Sequence, residues 1–260
     1  MLATDWGAAS DRGKVRKVNE DSLLAQPPVF VVADGMGGHA AGDVASRIAV
    51  AQFEELAGTD RLSATEAMAA VGRANAAILA AAQKDGAKAG MGTTLAGLLI
   101  VMAAGAEHWM AINVGDCRVY RLQGGELRQV TIDHSEVEEL VTAGRLTREE
   151  ARGYGRRNIV TRSVGTEPPP VVDSWMFPPE DGDRFIICSD GLTNEMVDAE
   201  IASTAAEIQD PQELAEKLVE RAVAAGGRDN VTVIVVNGPS ATRGSVADEK
   251  TAPRPGRPLS

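Results

Sequence analysis

Three aspartates far apart in the chain each lie at the end of an apolar, strand-like run and are each followed by glycine or asparagine. They read Val31-Val32-Ala33-Asp34-Gly35, Ile187-Cys188-Ser189-Asp190-Gly191 and Gly227-Arg228-Asp229-Asn230. A carboxylate where a buried strand gives way to a tight turn is poorly solvated, and neighbouring like charges add to the cost, which a bound cation ordinarily offsets. Hard oxygen ligands favour Mg²⁺ or Mn²⁺ over zinc, which recruits histidine or cysteine. The run Asp34-Gly35-Met36-Gly37-Gly38-His39 adds glycines that let the backbone approach an ion and turn a carbonyl toward it. A single Asp-Gly pair marks only a turn. Three of them point to a metal site.

The elements that would position these residues run strands first, helices next, then strands again. Leu2 to Ser10 and Val29 to Ala33 read as strands. Val44, Ile48, Ala51 and Leu56 roughly follow a helical period, which predicts an amphipathic helix from Gly42 to Leu56. Ser63-Ala-Thr-Glu66 is a capping box opening a second, alanine-rich helix to about Gln83. Thr93 to Met102, Glu107 to Val114, Cys117 to Gln123 and Glu126 to Thr131 read as strands with connections too short for crossover helices, hence antiparallel, and Gly124-Gly125 is the clearest hairpin signal. Between Ser135 and Gly165 the apolar pattern weakens into an arginine-rich segment whose Thr147-Arg-Glu-Glu150 is another capping box, so a mobile flap with short helices is expected. Val171 to Phe177, Arg184 to Cys188 and Val231 to Val236 are the remaining strands. Asp210-Pro211-Gln-Glu213 caps a helix to about Ala225 with Leu214, Leu218 and Ala222 facing inward.

Composition bounds the function. With 260 residues, 44% of them hydrophobic, the chain can bury a large core, and no break in composition divides it before about residue 239, so one catalytic-sized domain is expected over 1–238. Residues 239–260 turn to Ala, Thr, Arg, Ser and Pro and are expected to be a disordered tail. Against 37 Asp and Glu stand 26 Lys and Arg, a net charge of −11, which argues against nucleic acid or an anionic membrane as the main partner. Nothing at the amino terminus resembles an export signal, and the longest apolar stretch, Leu95 to Ala106, is too short to span a bilayer, so a cytoplasmic location is expected. Cys117 and Cys188 fit no ligand spacing and are assigned no function.

The ordered combination is more specific than any one motif. Ser10-Asp-Arg-Gly-Lys-Val-Arg16-Lys-Val-Asn-Glu20-Asp21 precedes the Asp34 to His39 run. Met91-Gly-Thr-Thr-Leu95, Val114-Gly-Asp116-Cys-Arg118, Asp133-His-Ser135, Cys188-Ser-Asp190-Gly191 and Gly227-Arg-Asp229-Asn-Val-Thr232 follow. Over about residues 1 to 238 the chain closely resembles the metal-dependent serine/threonine protein phosphatases of type 2C, the PPM family, in their compact bacterial form. The resemblance implies an α+β fold, a four-layer α-β-β-α sandwich with two central antiparallel sheets packed face to face. It also implies that Asp34 bridges two Mn²⁺ or Mg²⁺ ions. Asp190 and Asp229 would complete one shell, and the Gly35 carbonyl, with Glu20 or Asp21 acting largely through water, would serve the other. Asp116, with Asp190, would belong to a third, weaker ion.

Two divalent ions roughly 3.5–4 Å apart can activate a shared water for in-line attack on phosphorus, so no protein nucleophile is required. Arg16 is the candidate phosphate clamp, because a guanidinium offers paired donors to two phosphate oxygens. Many eukaryotic members carry histidine directly after the Asp-Gly, where this chain has Met36. His39, three residues on, could donate the leaving-group proton through water or brace the glycine loop, and bracing is the expected role. His134 is expected to order the entrance to the flap, His108 to have no chemical role, and Thr93 and Thr94 to be hydroxyls behind the site.

The implied activity is hydrolysis of phosphoserine and phosphothreonine in proteins, reversing a bacterial Ser/Thr kinase, by a monomer. A phosphatase-fold regulator dedicated to one partner is the alternative, together with a non-catalytic scaffold and a two-metal nuclease. Retention of Arg16 and of every core aspartate weighs against the regulator and the scaffold. The acidic balance weighs against the nuclease.

Overall fold

The computed structural model describes residues 2–37 and 41–239. In chain order its elements begin with β1 (Asp5–Asp11), β2 (Asp21–Gln26), β3 (Val29–Met36), α1 (Gly42–Glu54) and α2 (Ala64–Lys84). The strands β4 (Gly92–Thr93), β5 (Leu95–Ala103), β6 (Ala106–Val114), β7 (Arg118–Gln123) and β8 (Glu126–Gln129) follow, then the short helices α3 (Glu136–Thr142) and α4 (Arg148–Arg152) within the segment expected to be a flap. The chain continues through β9 (Asp173–Phe177), β10 (Arg184–Cys188), α5 (Asp190–Thr193), α6 (Asp198–Glu207), α7 (Pro211–Ala225) and β11 (Val231–Asn237).

The local signals act as their chemistry requires. Ser63 Oγ accepts from the Glu66 N–H at 3.2 Å while the Glu66 carboxylate accepts from the Ser63 N–H at 2.8 Å, closing the capping box of α2. Thr147 and Glu150 do the same for α4. Asp210 caps α7 with Pro211 in its first turn. Gly124 and Gly125 both take positive φ, 57° and 84°, which suits a two-residue hairpin between β7 and β8. The sequence pattern missed β2, α5 and α6. β2 is short and half-buried along its length, and α6 is rich in alanine, so neither shows a strong period.

Pairing gives two sheets, β1-β11-β10-β7-β8 and β2-β3-β5-β6-β9, with β4 added to the end of β3, and the pairs within both are antiparallel. Alternation along the strands builds the layers. Phe30 and Val32 of β3, Ile187 of β10 and Ile234 and Val236 of β11 pack between the sheets around Trp109 and Phe185. Val29, Val31 and Ala33 face the other way, against α1 and α2. Val231, Val233 and Val235 likewise face Leu214, Leu218 and Ala222 of α7 and Ile201 of α6. The result is helix, sheet, sheet, helix, as the resemblance implied. Among the described residues no helix is long and apolar enough to cross a membrane.

Candidate metal centre

The two sheets bring their carboxylates to one end of the sandwich. Asp34 follows Phe30 and Val32 in parity, so its side chain points between the sheets where the apolar filling runs out. Asp21 opens β2 directly opposite Asp34 in the ladder. From the facing sheet come Asp190, at the first position of α5 just beyond β10, and Asp229, which lies in the loop two residues before β11 and not at the end of a strand as expected from sequence. Asp116 follows β6 in a turn that Gly115 makes with φ 112°.

The backbone around Asp34 is fixed from behind. The Thr93 hydroxyl donates to the Asp34 carbonyl at 2.8 Å, the Thr94 N–H donates to the same carbonyl at 2.9 Å, and the Thr94 hydroxyl accepts from the Asp34 N–H at 3.2 Å. Gly35 explains why the motif is Asp-Gly: a Cβ there would lie 2.0 Å from the Gly42 carbonyl oxygen, so only glycine lets β3 meet the first turn of α1. A Cβ on Gly191 would lie 1.9 Å from the Asn230 carbonyl oxygen, which brings the Asp190 and Asp229 motifs together backbone to backbone.

Two of these carboxylates, Asp21 and Asp190, are only partly satisfied. Asp21 Oδ2 accepts from Ser189 Oγ at 2.8 Å and Asp190 Oδ2 from Asn194 Nδ2 at 2.9 Å. Among the described residues, Asp21 Oδ1 and Asp190 Oδ1 are buried with no hydrogen-bond partner. Asp229 accepts from its neighbour's N–H at 2.8 Å and from Arg16 Nη2 at 2.7 Å. Arg16 Nη1 stands 3.6 Å from Glu20, and the Arg16 side chain remains 46% exposed, so the guanidinium can still meet a solute arriving over the carboxylates.

Burial first, and then mutual repulsion, push these acids up. Asp21 is raised to about 7 by burial with Asp190 and Asp229 nearby, and Asp190 to about 6 by burial and Asp229. Asp34 is raised well above the carboxylate range by burial and by Asp21, Asp190, Asp116 and Asp229. Asp116 is raised by burial, Asp190 and Asp133. Glu20 is raised by burial, against the opposing pull of Arg16.

Among the described residues no three histidine, cysteine or acidic side chains stand as a closed ligand cage. The fit to a hard divalent cation rests on other features. The donors are all oxygen, two of the buried oxygens lack a partner among the described residues, and four of the acids are pushed up, by burial first and by one another second, toward holding protons that a cation would displace.

Asn230 is a functional residue that sequence reasoning passed over. Its side chain donates to the carbonyls of Arg12 and Val18, both at 3.0 Å, and accepts from the Glu20 N–H at 2.8 Å, so it fastens the loop that carries Arg16 and Glu20. The signal was its place directly after Asp229, but a side chain bonding to residues more than 200 positions away is not legible in spacing. His134 Nδ1 accepts from the Gly115 N–H at 3.1 Å and its Nε2 faces Asp173 at 3.1 Å, linking the Asp116 turn to the start of the flap. His108 Nδ1 lies 3.2 Å from the Ala106 carbonyl, on the strand β6 away from the carboxylates. His39 lies outside the described residues. From Asp116 and Asp190 a cleft of about 320 Å³ opens between the flap and the turn joining α5 to α6.

The sequence matches the Protein phosphatase 2C family over residues 14–222. It is 41% identical over 241 residues to the serine/threonine protein phosphatase PstP of Mycobacterium tuberculosis, covering 91% of this chain and 45% of that protein. It is 38% identical to the serine/threonine phosphatase Stp of Listeria innocua, covering 87% of this chain and 93% of the relative. The crystal structure of the M. tuberculosis phosphatase PstP superposes with a TM-score of 0.82 at 39% identity, over 91% of this chain and 99% of that one. A second structure, the catalytic domain of PstP in complex with two manganese ions, gives 0.80 at the same identity and coverage. The chain belongs to the protein phosphatase 2C family. It spans less than half the length of the M. tuberculosis relative.

Proposed function

We propose that the chain is a Mn²⁺- or Mg²⁺-dependent phosphatase of phosphoserine and phosphothreonine in proteins. One observation carries this reading. Carboxylates from both sheets converge at one end of the sandwich, two of their buried oxygens lack a partner among the described residues, and a half-exposed arginine lies beside them. Asp34, central to the set, would bridge two ions. Asp190 and Asp229 would complete one shell, the Gly35 carbonyl with Glu20 or Asp21 the other, and Asp116 with Asp190 a weaker third position. Bound there, such ions would supply an activated water and neutralise charge on the phosphoryl oxygens. Arg16, held by Asp229, orients the phosphate through its remaining donors. Thr93 and Thr94 keep Asp34 in place, and Asn230 keeps the Arg16 loop in place.

Residues 1–238 would form the catalytic domain, with 135–165 as a flap selecting among protein substrates. A bacterial Ser/Thr kinase would supply those substrates in the cytoplasm, and the domain would act as a monomer. Support for the substrate class comes from the names of the relatives, serine/threonine phosphatases from two bacterial genera. The deciding experiment compares a phosphothreonine peptide with Mn²⁺, the same peptide with EDTA, and a phosphotyrosine peptide with Mn²⁺. Hydrolysis of the first alone is expected. Equal rates with EDTA would end the metal-dependent reading, and a preference for phosphotyrosine would end the Ser/Thr assignment.

A further inference from the structure

We infer that the cleft beside the metal centre is a subsite for an anionic side chain, a carboxylate or a second phosphoryl group, flanking the phosphorylated residue of the substrate. This inference rests on the phosphatase reading and specifies the substrate class of that same site.

The cleft runs from Asp116 and Asp190 to the flap, so a peptide whose phosphate lies at the carboxylates must extend along it or away from it. At about 320 Å³ it is at the lower end of ligand-pocket volumes, enough for a side chain and not for a folded partner. Its charges decide what it would hold. Beyond the metal end, three of its acids are paired with arginines and the fourth, Asp198, accepts from a tyrosine hydroxyl. Asp133 accepts from Arg118 at 2.7 Å and from Gln129 at 2.7 Å, Glu138 from Arg148 at 3.0 Å, Glu195 from Arg228 at 2.8 Å, and Asp198 from the Tyr120 hydroxyl at 3.1 Å.

The flap uses Arg148, Arg156 and Arg162 in ion pairs with Glu138, Glu136 and Asp173. Two of its other arginines, Arg152 and Arg157, line the cleft, and among the described residues neither makes an ion pair. Arg157 Nη1 donates to the Arg152 backbone carbonyl at 2.9 Å, which anchors the Arg157 side chain at the end of α4. Arg157 is close enough to Glu195 to lower its pKa without pairing with it. Among the described residues the unmatched charge on the flap wall is therefore positive, and two planar forks lining one cleft suit a carboxylate or phosphoryl group.

The test uses phosphothreonine peptides that carry one variable residue, moved from three places before to three places after the phosphothreonine. The variants are Glu, a non-hydrolysable phosphonate side chain, Gln and Lys, assayed with Mn²⁺ on the wild type and on the double variant Arg152→Glu/Arg157→Glu. At one position the wild type should prefer an anion over Gln by about three- to tenfold in kcat/KM, carried by KM, as expected of two partly exposed ion pairs. The double variant should lose that preference and favour Lys, with p-nitrophenyl phosphate hydrolysis unchanged. A preference for the phosphonate alone would identify a second phosphoryl group as the ligand, whereas equal preference for Glu would identify any acidic residue. No positional preference, or one that survives charge reversal, would overturn the inference. Absence of metal-dependent hydrolysis of p-nitrophenyl phosphate by the wild type would overturn the phosphatase reading beneath it.

Discussion

Asp34 stands opposite one carboxylate in its own sheet and feels three more, and the same crowding makes it valuable to a cation and costly without one. Asp34→Asn should therefore reduce turnover to background while raising the Tm of the metal-free protein. A gain of about 2–4 °C is expected for each kcal/mol of repulsion removed. Near wild-type kcat with Mn²⁺ in a preparation shown to be metal-free beforehand would exclude Asp34 as the bridging ligand. Arg16 makes one short charged hydrogen bond, to Asp229, and stays accessible beyond it. Its loss should lower kcat/KM for phosphopeptides about ten- to hundredfold, the worth of a charged hydrogen bond of roughly 1.5–3 kcal/mol, with both KM and kcat affected. Unchanged kcat/KM in Arg16→Ala would remove it from the site. Both residues were candidates in the sequence, Asp34 through its residue type and motif and Arg16 through the family resemblance. Asn230 was not, because its role depends entirely on which loop lies next to it.

Elements meet at this site through backbone contacts that tolerate no side chain. Gly35→Ala must push β3 away from α1, so circular dichroism should show a lowered Tm and calorimetry a weakened Mn²⁺ affinity. Gly72, within α2 and with open space at its Cβ position, is the control: Gly72→Ala should stabilise by about 0.5–1 kcal/mol. The flap is proposed to select protein substrates and to be indifferent to small phosphates, since metals and Arg16 would hold the phosphate itself. Exchanging 135–165 with the segment of a related phosphatase should transfer phosphoprotein preference and leave p-nitrophenyl phosphate hydrolysis within about twofold. Preference that stays with the recipient domain would refute the assignment. Short helices in the flap were expected from the Thr147–Glu150 capping box, which opens α4, whereas its tether through His134 and Asp173 was not legible, since those residues lie 39 positions apart.

At the scale of the molecule, the buried acids link protonation to stability. A carboxylate whose pKa is raised on folding stabilises the native state below its unfolded value, near 4, and that contribution is lost as pH rises through the folded value. With Asp190 at about 6 and Asp21 at about 7, the metal-free protein should lose stability between pH 5 and 8, and thermal melts in EDTA should show a lower Tm at the upper end. Saturating Mn²⁺ should remove or reverse that slope, because the cation replaces the protons. A metal-free Tm that rises steadily over this range would contradict the proposed electrostatics. By itself the sequence determined the strands and helices with strong periods or caps, the hard-ligand chemistry of its aspartates, and the four-layer architecture through its resemblance. Those are properties of residue type and near-neighbour spacing. Only the tertiary structure decided that the half-buried β2 sets Asp21 opposite Asp34, that Asn230 fastens the Arg16 loop, and that two flap arginines face the cleft without acidic partners among the described residues. Each of these depends on which distant segments pack together, and that is settled by the burial of both sheet faces at once.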